Sequence, residues 1–332
     1  MKMTNMRSKS IKGAKITFIN MPLRESALPN TPPLGPALLA ARLRQFGAIP
    51  TIIDLNSYRI NDALSEKRNL KNGRHLTLEE TRDLIAKHFQ KYRDQDAVAL
   101  SGIITTSKWQ KKVAQIVRNL QPDTFLVSGN GLATEIKTGL FNWVPELDGV
   151  VIGEGDNVIL KIASDAKLIK ERGLKSALLS KKIEPLNFIN DRPRFLYAGI
   201  GPTNLDSVPL PAWDIIEEDV NGFRILDFYL QNAVWGQSAK NSSATPFTMR
   251  KSITTVSSRG CPFSCNFCYR GQQGQGNYRM RSVENLTKEI EWCVKKYGID
   301  FFGMNDDNFM VSRDRIAQLV PLLKSLNIRW GT

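Results

Sequence analysis

The sequence predicts an α/β protein, with a doubly wound parallel sheet in its N-terminal half and the first βα units of a second domain after residue 250. Short β-branched segments alternate with helical segments over residues 14–160, small residues follow the strands, and the alternation returns beside a group of cysteines. At 332 residues the chain is long enough for two domains.

Composition narrows the class of protein. Hydrophobic residues make up 42% and charged residues 23%, which is typical of a globular protein. We find no apolar run long enough for a membrane span and no apolar signal segment. The four cysteines, three of them within eight positions, indicate a reducing compartment rather than a disulfide framework. We therefore expect a cytoplasmic protein.

The chain is basic, with 46 Lys and Arg against 32 Asp and Glu and a net charge of +14. The basic residues are scattered and form no run or aromatic stripe, so we expect no nucleic-acid partner. A solvated basic surface, which would also attract anionic small ligands, is the simpler interpretation.

Five strands are predicted in the N-terminal half. KITFIN, the helix LGPALLAARLRQFG and PTIIDLN form the first βαβ unit, in which Pro36 stands at the helix start and Gly47 just past its end. The later strands are DAVALSGI, TFLVSGNG and LDGVVIGEGD. Ligands of such sheets bind at the carboxyl ends of the strands, where glycine and serine cluster here. Each glycine could equally serve an ordinary turn, and the absence of GxGxxG after the first strand disfavours a nicotinamide site.

Residues 14–160 contain, in this order, TPPLGPALLAARLRQFG, Asp54, ALSGIITT, SGNGLAT and GVVIGEGD. With these segments they resemble the cobalamin-binding-like, Rossmann-type domain that precedes the catalytic core in many radical S-adenosylmethionine enzymes. It implies that a corrinoid would lie against the strand ends. The contacts it implies are Ser101, Gly102, Gly129, Gly131, Gly153 and Glu154.

The DxHxxG signature that supplies a cobalt-binding histidine in some corrinoid proteins is absent. The two histidines, His75 and His88, stand in a charged, partly helical stretch. We expect both on the surface and no cobalt ligation by histidine. Residues 161–250 are predicted as a connecting region, in which VPLPAWD resembles the linker into the catalytic core.

Cys261, Cys265 and Cys268 form a CxxxCxxC motif after a β-branched strand. Three thiolates can hold an iron–sulfur cluster and leave one iron open, whereas a structural zinc site needs four ligands. A redox CxxC pair would leave Cys261 unexplained. Cys293 recurs at helical spacing with Leu286 and Ile290, which predicts a buried core position.

The spacing, with Phe267 before the last cysteine, resembles the CxxxCxΦC motif of radical S-adenosylmethionine enzymes, in which Φ is aromatic. The resemblance implies a partial TIM barrel from residue 251 and a 4Fe-4S cluster whose open iron binds S-adenosylmethionine, with Phe267 near the adenine. Reductive cleavage would then give a 5′-deoxyadenosyl radical. It also implies an electron donor such as flavodoxin or ferredoxin, and a small-molecule substrate.

In IDFFGMNDDNFM a strand ends at Asp306 and Asp307. The resemblance assigns one of these acids to the amino group of S-adenosylmethionine; the alternative is that they cap the helix starting near Ser312. A third strand is predicted at IRW, so we expect the N-terminal part of a longer enzyme with an incomplete barrel.

We expect the function to be radical S-adenosylmethionine chemistry, with cobalamin, for methylation, ring rearrangement or cyclisation of an unactivated substrate. One alternative keeps the radical chemistry without cobalamin. The other, from a different class, is a non-catalytic iron–sulfur or zinc module with a basic surface.

Overall fold

A computed structural model describes residues 11–23, 31–70, 73–180, 183–189, 192–231, 248–268 and 278–332. The chain divides into two compact units. The first comprises residues 1–27, 35–201 and 211–223, and the second comprises residues 28–34, 202–210 and 224–332.

A parallel sheet forms the centre of the first unit. Its strands are β1 (Lys15–Asn20), β2 (Ile49–Asp54), β3 (Ala97–Ser101), β4 (Phe125–Gly129), β5 (Gly149–Gly153), β6 (Asn187–Ile189) and β7 (Arg192–Gly199). They lie in the order β2-β1-β3-β4-β5-β7-β6, and only the edge strand β6 runs antiparallel to its neighbour. All five strands predicted for the N-terminal half are present, which confirms the predicted fold class.

Helices connect these strands. They are α1 (Leu34–Arg44), α2 (Ala63–Lys67), α3 (Leu78–Lys91), α4 (Ser107–Leu120), α5 (Asn130–Ile136), α6 (Leu140–Trp143), α7 (Gly155–Arg172) and α8 (Leu174–Leu179). The start of α3 is fixed by a capping box, in which the hydroxyl of Thr77 accepts from the Glu80 amide and the Glu80 carboxylate accepts from the Thr77 amide.

The hydrophobic core of the first unit includes Ile19, Leu100, Leu126 and Val150, one from each of four adjacent strands. Burial on both faces explains the near-continuous apolar runs of these strands.

Residues 161–250, predicted as a connecting region, contribute the last strands of this sheet. Residues 149–153 of β5 pair with residues 195–199 of β7. Phe195 and Tyr197 are buried and pack against Phe125, with ring centroids 5.4 and 6.4 Å away. The strand RPRFLYAG was not predicted, because its two arginines and its proline interrupt the apolar pattern.

In the second unit the described residues form a three-stranded parallel sheet in the order β12-β11-β8, made of β8 (Ser252–Thr255), β11 (Phe301–Met304) and β12 (Arg329–Gly331). A short antiparallel ribbon pairs β9 (Ser258–Arg259) with β10 (Arg279–Met280). The helices are α9 (Ile225–Gln231), α10 (Val283–Tyr297) and α11 (Arg313–Ser325). The order β8-α10-β11-α11-β12 confirms the predicted βα units and the third strand at IRW.

Both histidines are buried, so the prediction that they lie on the surface was wrong. His88 is 5% exposed because the helix α3 turns it inward, where its Nε2 atom lies 2.9 Å from the Thr51 hydroxyl oxygen. His75 is 7% exposed; its Nδ1 atom lies 2.5 Å from Nη1 of Arg59, and its ring meets Trp109 edge-on. Among the described residues, no helix is both long enough and apolar enough to cross a bilayer.

Candidate functional site

The first candidate site is the carboxyl edge of the large sheet. Ser101 and Gly129 end the adjacent strands β3 and β4 and are paired in register. Gly153 ends β5 and is paired with Gly199 of β7. The small residues predicted as corrinoid contacts therefore lie along one edge of the sheet, with Gly131 in the first turn of α5.

Local hydrogen bonds hold this edge together. The Asn130 side chain donates to the Ser101 hydroxyl at 3.2 Å, and the Gly153 amide donates to Oγ1 of Thr134 at 3.2 Å. Gly102 is buried, and a Cβ atom there would lie 2.8 Å from Oγ1 of Thr106. Packing therefore requires glycine at position 102, whereas a Cβ atom at Gly129 or Gly131 would meet its nearest neighbour only at 3.8 Å.

Sequence reasoning missed a part of the edge that follows β7. A Cβ atom at Gly199 would lie 2.0 Å from the backbone carbonyl oxygen of Glu154, and one at Gly201 would lie 2.0 Å from its carboxylate. The backbone after β7 therefore packs directly against Glu154, at the start of α7. The signal available in the sequence was a GxG after a strand, in YAGIGP.

Large apolar side chains stand exposed at the same edge. Ile104 follows β3 and is 66% exposed, and Ile200 follows β7 and is 80% exposed. Ile103 and Leu23, which follow β3 and β1, are each 37% exposed. Exposed apolar residues that follow the carboxyl ends of several parallel strands are typical of a surface that receives an apolar ligand.

The second candidate site is the cysteine loop, residues 261–268. It follows β9, and the β9–β10 ribbon pairs Arg259 with Arg279 on its two sides. Cys261 is half-buried, Cys265 and Cys268 are exposed, and the Cys268 amide donates to the Cys265 carbonyl at 3.2 Å. Phe267 is 93% exposed.

Within the described ranges, no three Cys, His, Asp or Glu side chains are grouped as metal ligands would be. The structure therefore places the three cysteines on one short loop without drawing their thiols together. Their chemistry fits an iron–sulfur cluster, since three accessible thiols on one loop are its ordinary ligands.

Cys293 is buried in α10, as predicted from its helical spacing. Burial, and next the nearby carboxylate of Glu289, raise the pKa of the Cys293 thiol. This cysteine therefore stays a neutral core residue.

The two acids after β11 have different surroundings. The Asp306 carboxylate accepts hydrogen bonds from the backbone amides of Ser257 and Ser258, at 2.5 and 2.9 Å, and from the Ser257 hydroxyl. Asp307 is exposed and makes no hydrogen bond or ion pair with any described residue. Neither acid caps a helix, because Ser312 caps α11 and Asn308 caps the short 3-10 turn before it.

Sequence reasoning missed two arginines behind the cysteine loop. Arg315, in the first turn of α11, is 5% exposed and donates from Nη2 to the Ser257 carbonyl at 3.2 Å. Arg281, after β10, is 9% exposed and forms a buried ion pair with Glu289 of α10. Its backbone amide also donates to the Ser257 carbonyl, at 2.9 Å.

Comparisons with known proteins find relatives that extend over most of this chain. No family model matches the chain. An uncharacterized methyltransferase of Pyrococcus horikoshii is 28% identical over 327 residues, which cover 96% of this chain and 60% of that protein. The anaerobic magnesium-protoporphyrin IX monomethyl ester cyclase of Cereibacter sphaeroides is 24% identical over 244 residues, which cover 71% of this chain and 35% of that protein.

The fold matches solved structures of the same kind. The cobalamin-dependent S-adenosylmethionine radical enzyme OxsB, solved with aqua-cobalamin and S-adenosylmethionine bound, matches with a TM-score of 0.63 at 18% identity, over 96% of this chain and 38% of OxsB. The radical S-adenosylmethionine methyltransferase TsrM from Kitasatospora setae, solved with cobalamin and a [4Fe-4S] cluster bound, matches with a TM-score of 0.53 at 15% identity, over 94% of this chain and 50% of TsrM.

The chain is thus similar in sequence to a methyltransferase and a cyclase, and in fold to two cobalamin-dependent radical S-adenosylmethionine enzymes. The predicted fold class is thereby confirmed, and the resemblance to radical S-adenosylmethionine enzymes found in the sequence agrees with these relatives. The chain spans 60% of the Pyrococcus relative and 35% of the cyclase.

Proposed function

We propose that this chain carries the cofactor-binding half of a radical S-adenosylmethionine methyltransferase that also uses cobalamin. The single observation behind this is the CxxxCxxC loop, followed along the chain by the strand β11 and two acids. The matched relatives include a methyltransferase over nearly the whole chain, which favours methyl transfer over cyclisation.

Cys261, Cys265 and Cys268 would hold a 4Fe-4S cluster, and Phe267 is exposed beside the last ligand, where it can cover an adenine ring. When bound, the cluster and S-adenosylmethionine supply a reductive cleavage that yields a 5′-deoxyadenosyl radical. The protein's own part is to fix the loop and to offer a carboxylate to the cosubstrate's amino group.

The carboxyl edge of the large sheet would receive the corrinoid. Glycines allow a flat ring to approach the backbone at Gly129 and Gly153, and the exposed Ile104 and Ile200 offer apolar contact. Glu154 stands at the same edge. Both histidines are buried among protein groups, so we propose that cobalt takes no histidine ligand from the described part of this chain.

The substrate we propose is a small molecule, the electron donor a flavodoxin or ferredoxin, and the compartment the cytoplasm. The donor and the compartment follow from the cofactor chemistry, because a reduced cluster needs a one-electron donor and a reducing environment, and the substrate class follows from the matched small-molecule enzymes.

The test is metal analysis after anaerobic purification and cluster reconstitution. We expect iron and sulfide in equal amounts, cobalt after incubation with hydroxocobalamin, and 5′-deoxyadenosine after addition of S-adenosylmethionine and dithionite. Iron and 5′-deoxyadenosine without cobalt would favour the radical enzyme that lacks cobalamin. Zinc without iron would refute the proposal and favour the non-catalytic module.

A further inference from the structure

The carboxylate of Asp306 lies against the segment that leads into the cysteine loop. It accepts from two consecutive backbone amides, those of Ser257 and Ser258, and also from the Ser257 hydroxyl. Ser258 stands three residues before Cys261. Two amide donors and one hydroxyl donor occupy three of the roughly four acceptor sites of this carboxylate.

Arg315 holds the same segment from another side. Its guanidinium donates to the Ser257 carbonyl, lies over the Phe309 ring at 5.4 Å, and is almost fully buried. The Nε and Nη1 atoms of Arg315 are buried without a hydrogen-bond partner among the described residues. Burial lowers the pKa of Arg315, and the carboxylate of Asp306 acts in the opposite direction.

Asp307 differs from Asp306 in its exposure and in its hydrogen bonds. It follows directly in the sequence, yet it is exposed and makes no hydrogen bond or ion pair with the described residues. Its carboxylate is therefore free to accept from a cationic group.

We propose that Asp306 is a positioning residue, which with Arg315 fixes the backbone before Cys261 and so the place of the first cluster ligand, and that Asp307 binds the cosubstrate's ammonium group. This division of roles rests on the proposed function. It predicts that the two neighbouring acids fail in different ways when neutralised, although each substitution removes one charge.

The first measurement needs no cofactor. In the metal-free protein, amide hydrogen exchange of the peptide containing Ser257 and Ser258 should become about tenfold faster in Asp306→Asn, because two charge-assisted hydrogen bonds are lost. Asp307→Asn should leave this peptide unchanged, as should the matched control Asp314→Asn, which neutralises an exposed acid in the first turn of α11. Unchanged exchange in Asp306→Asn would overturn the positioning role, whatever the protein binds.

The second measurement uses the reconstituted protein. Asp306→Asn should hold less than about half the iron and sulfide of the parent chain, and Arg315→Gln should behave alike. Asp307→Asn should retain the parent's iron but lose the change that S-adenosylmethionine causes in the electron paramagnetic resonance spectrum of the reduced cluster. If Asp306→Asn does not fold, Ser257→Ala replaces it, because it removes only the hydroxyl donor to Asp306. We expect Ser257→Ala to lose iron and sulfide as well, but less of each.

Full iron content in Asp306→Asn together with loss of the spectral change would reverse the two roles and refute the proposal. A parent chain that binds no iron would instead refute the proposed function. In that case the exchange experiment still decides whether Asp306 positions the loop.

Discussion

Nε2 of His88 lies 2.9 Å from the hydroxyl oxygen of Thr51, inside the first unit. Burial, followed by the charge of Lys91, lowers the pKa of His88 to about 4, while Asp219 acts in the opposite direction. The unfolded chain, in which this pKa is 6.5, therefore takes up the proton first as the pH falls. The stability that neutral His88 contributes is complete above pH 6.5 and is lost between pH 6.5 and about 4.

We expect the unfolding free energy to fall by about 3 kcal/mol when the pH is lowered from above 6.5 to about 4, because the unfolded chain binds the His88 proton more tightly. Urea unfolding followed by circular dichroism, near pH 8 and near pH 4, measures the difference. In His88→Gln the part of the pH dependence due to this residue should disappear, because glutamine stays neutral. The same slope in both proteins would contradict the assignment.

Replacing any one of Cys261, Cys265 and Cys268 by alanine should abolish the 4Fe-4S cluster, because three thiolates are the minimum that holds it. Cys293→Ala should retain it, since that thiol is buried in α10. Iron and sulfide per chain, measured after identical reconstitution, separate the two groups. Equal loss of iron in Cys293→Ala would show that the ligand set is wrong.

Replacing Ile104 or Ile200 by aspartate should weaken hydroxocobalamin binding about tenfold or more, because each exposed side chain loses an apolar contact worth about 1.5 kcal/mol or more. Equilibrium dialysis followed by absorbance gives the dissociation constant. Leu179→Asp is the matched control, since Leu179 is 75% exposed at the end of α8. Equal affinity in all the variants would place the corrinoid elsewhere.

The ion pair between Arg281 and Glu289 should be important for the stability of the second unit. Glu289 is 1% exposed, so Glu289→Gln leaves a buried guanidinium uncompensated and should cost about 3 kcal/mol of unfolding free energy. Glu284→Gln, which breaks the exposed pair with Lys288 on the same helix, should cause no measurable change. Urea titration of both variants distinguishes the two, and a similar result for each would mean that the buried pair is not stabilising.

The sequence was sufficient where one local pattern determines the structure. The first five strands were predicted because each is a short apolar run followed by a turn, and Cys293 because a helical period marks its face. The strand β7 was missed because Arg192, Pro193 and Arg194 mask the apolar pattern at its start.

Residues whose environment comes from distant segments could not be predicted. The inward position of His88 depends on Thr51, which precedes it by 37 residues. The partners of Asp306 precede it by 48 and 49 residues, so nothing near DDNF distinguishes it from Asp307. The predicted domain boundaries and the roles of the individual corrinoid contacts remain predictions.

The contact between Gly199 and Glu154 limits which sequences this fold accepts. The obstacle to a side chain at position 199 is a carbonyl oxygen of the main chain, so no choice of residue at position 154 can make room for one. In a library randomised at both positions, folded clones should vary at 154 and keep glycine at 199. The edge that we propose for the corrinoid therefore includes a position, 199, at which substitutions of glycine should not be tolerated.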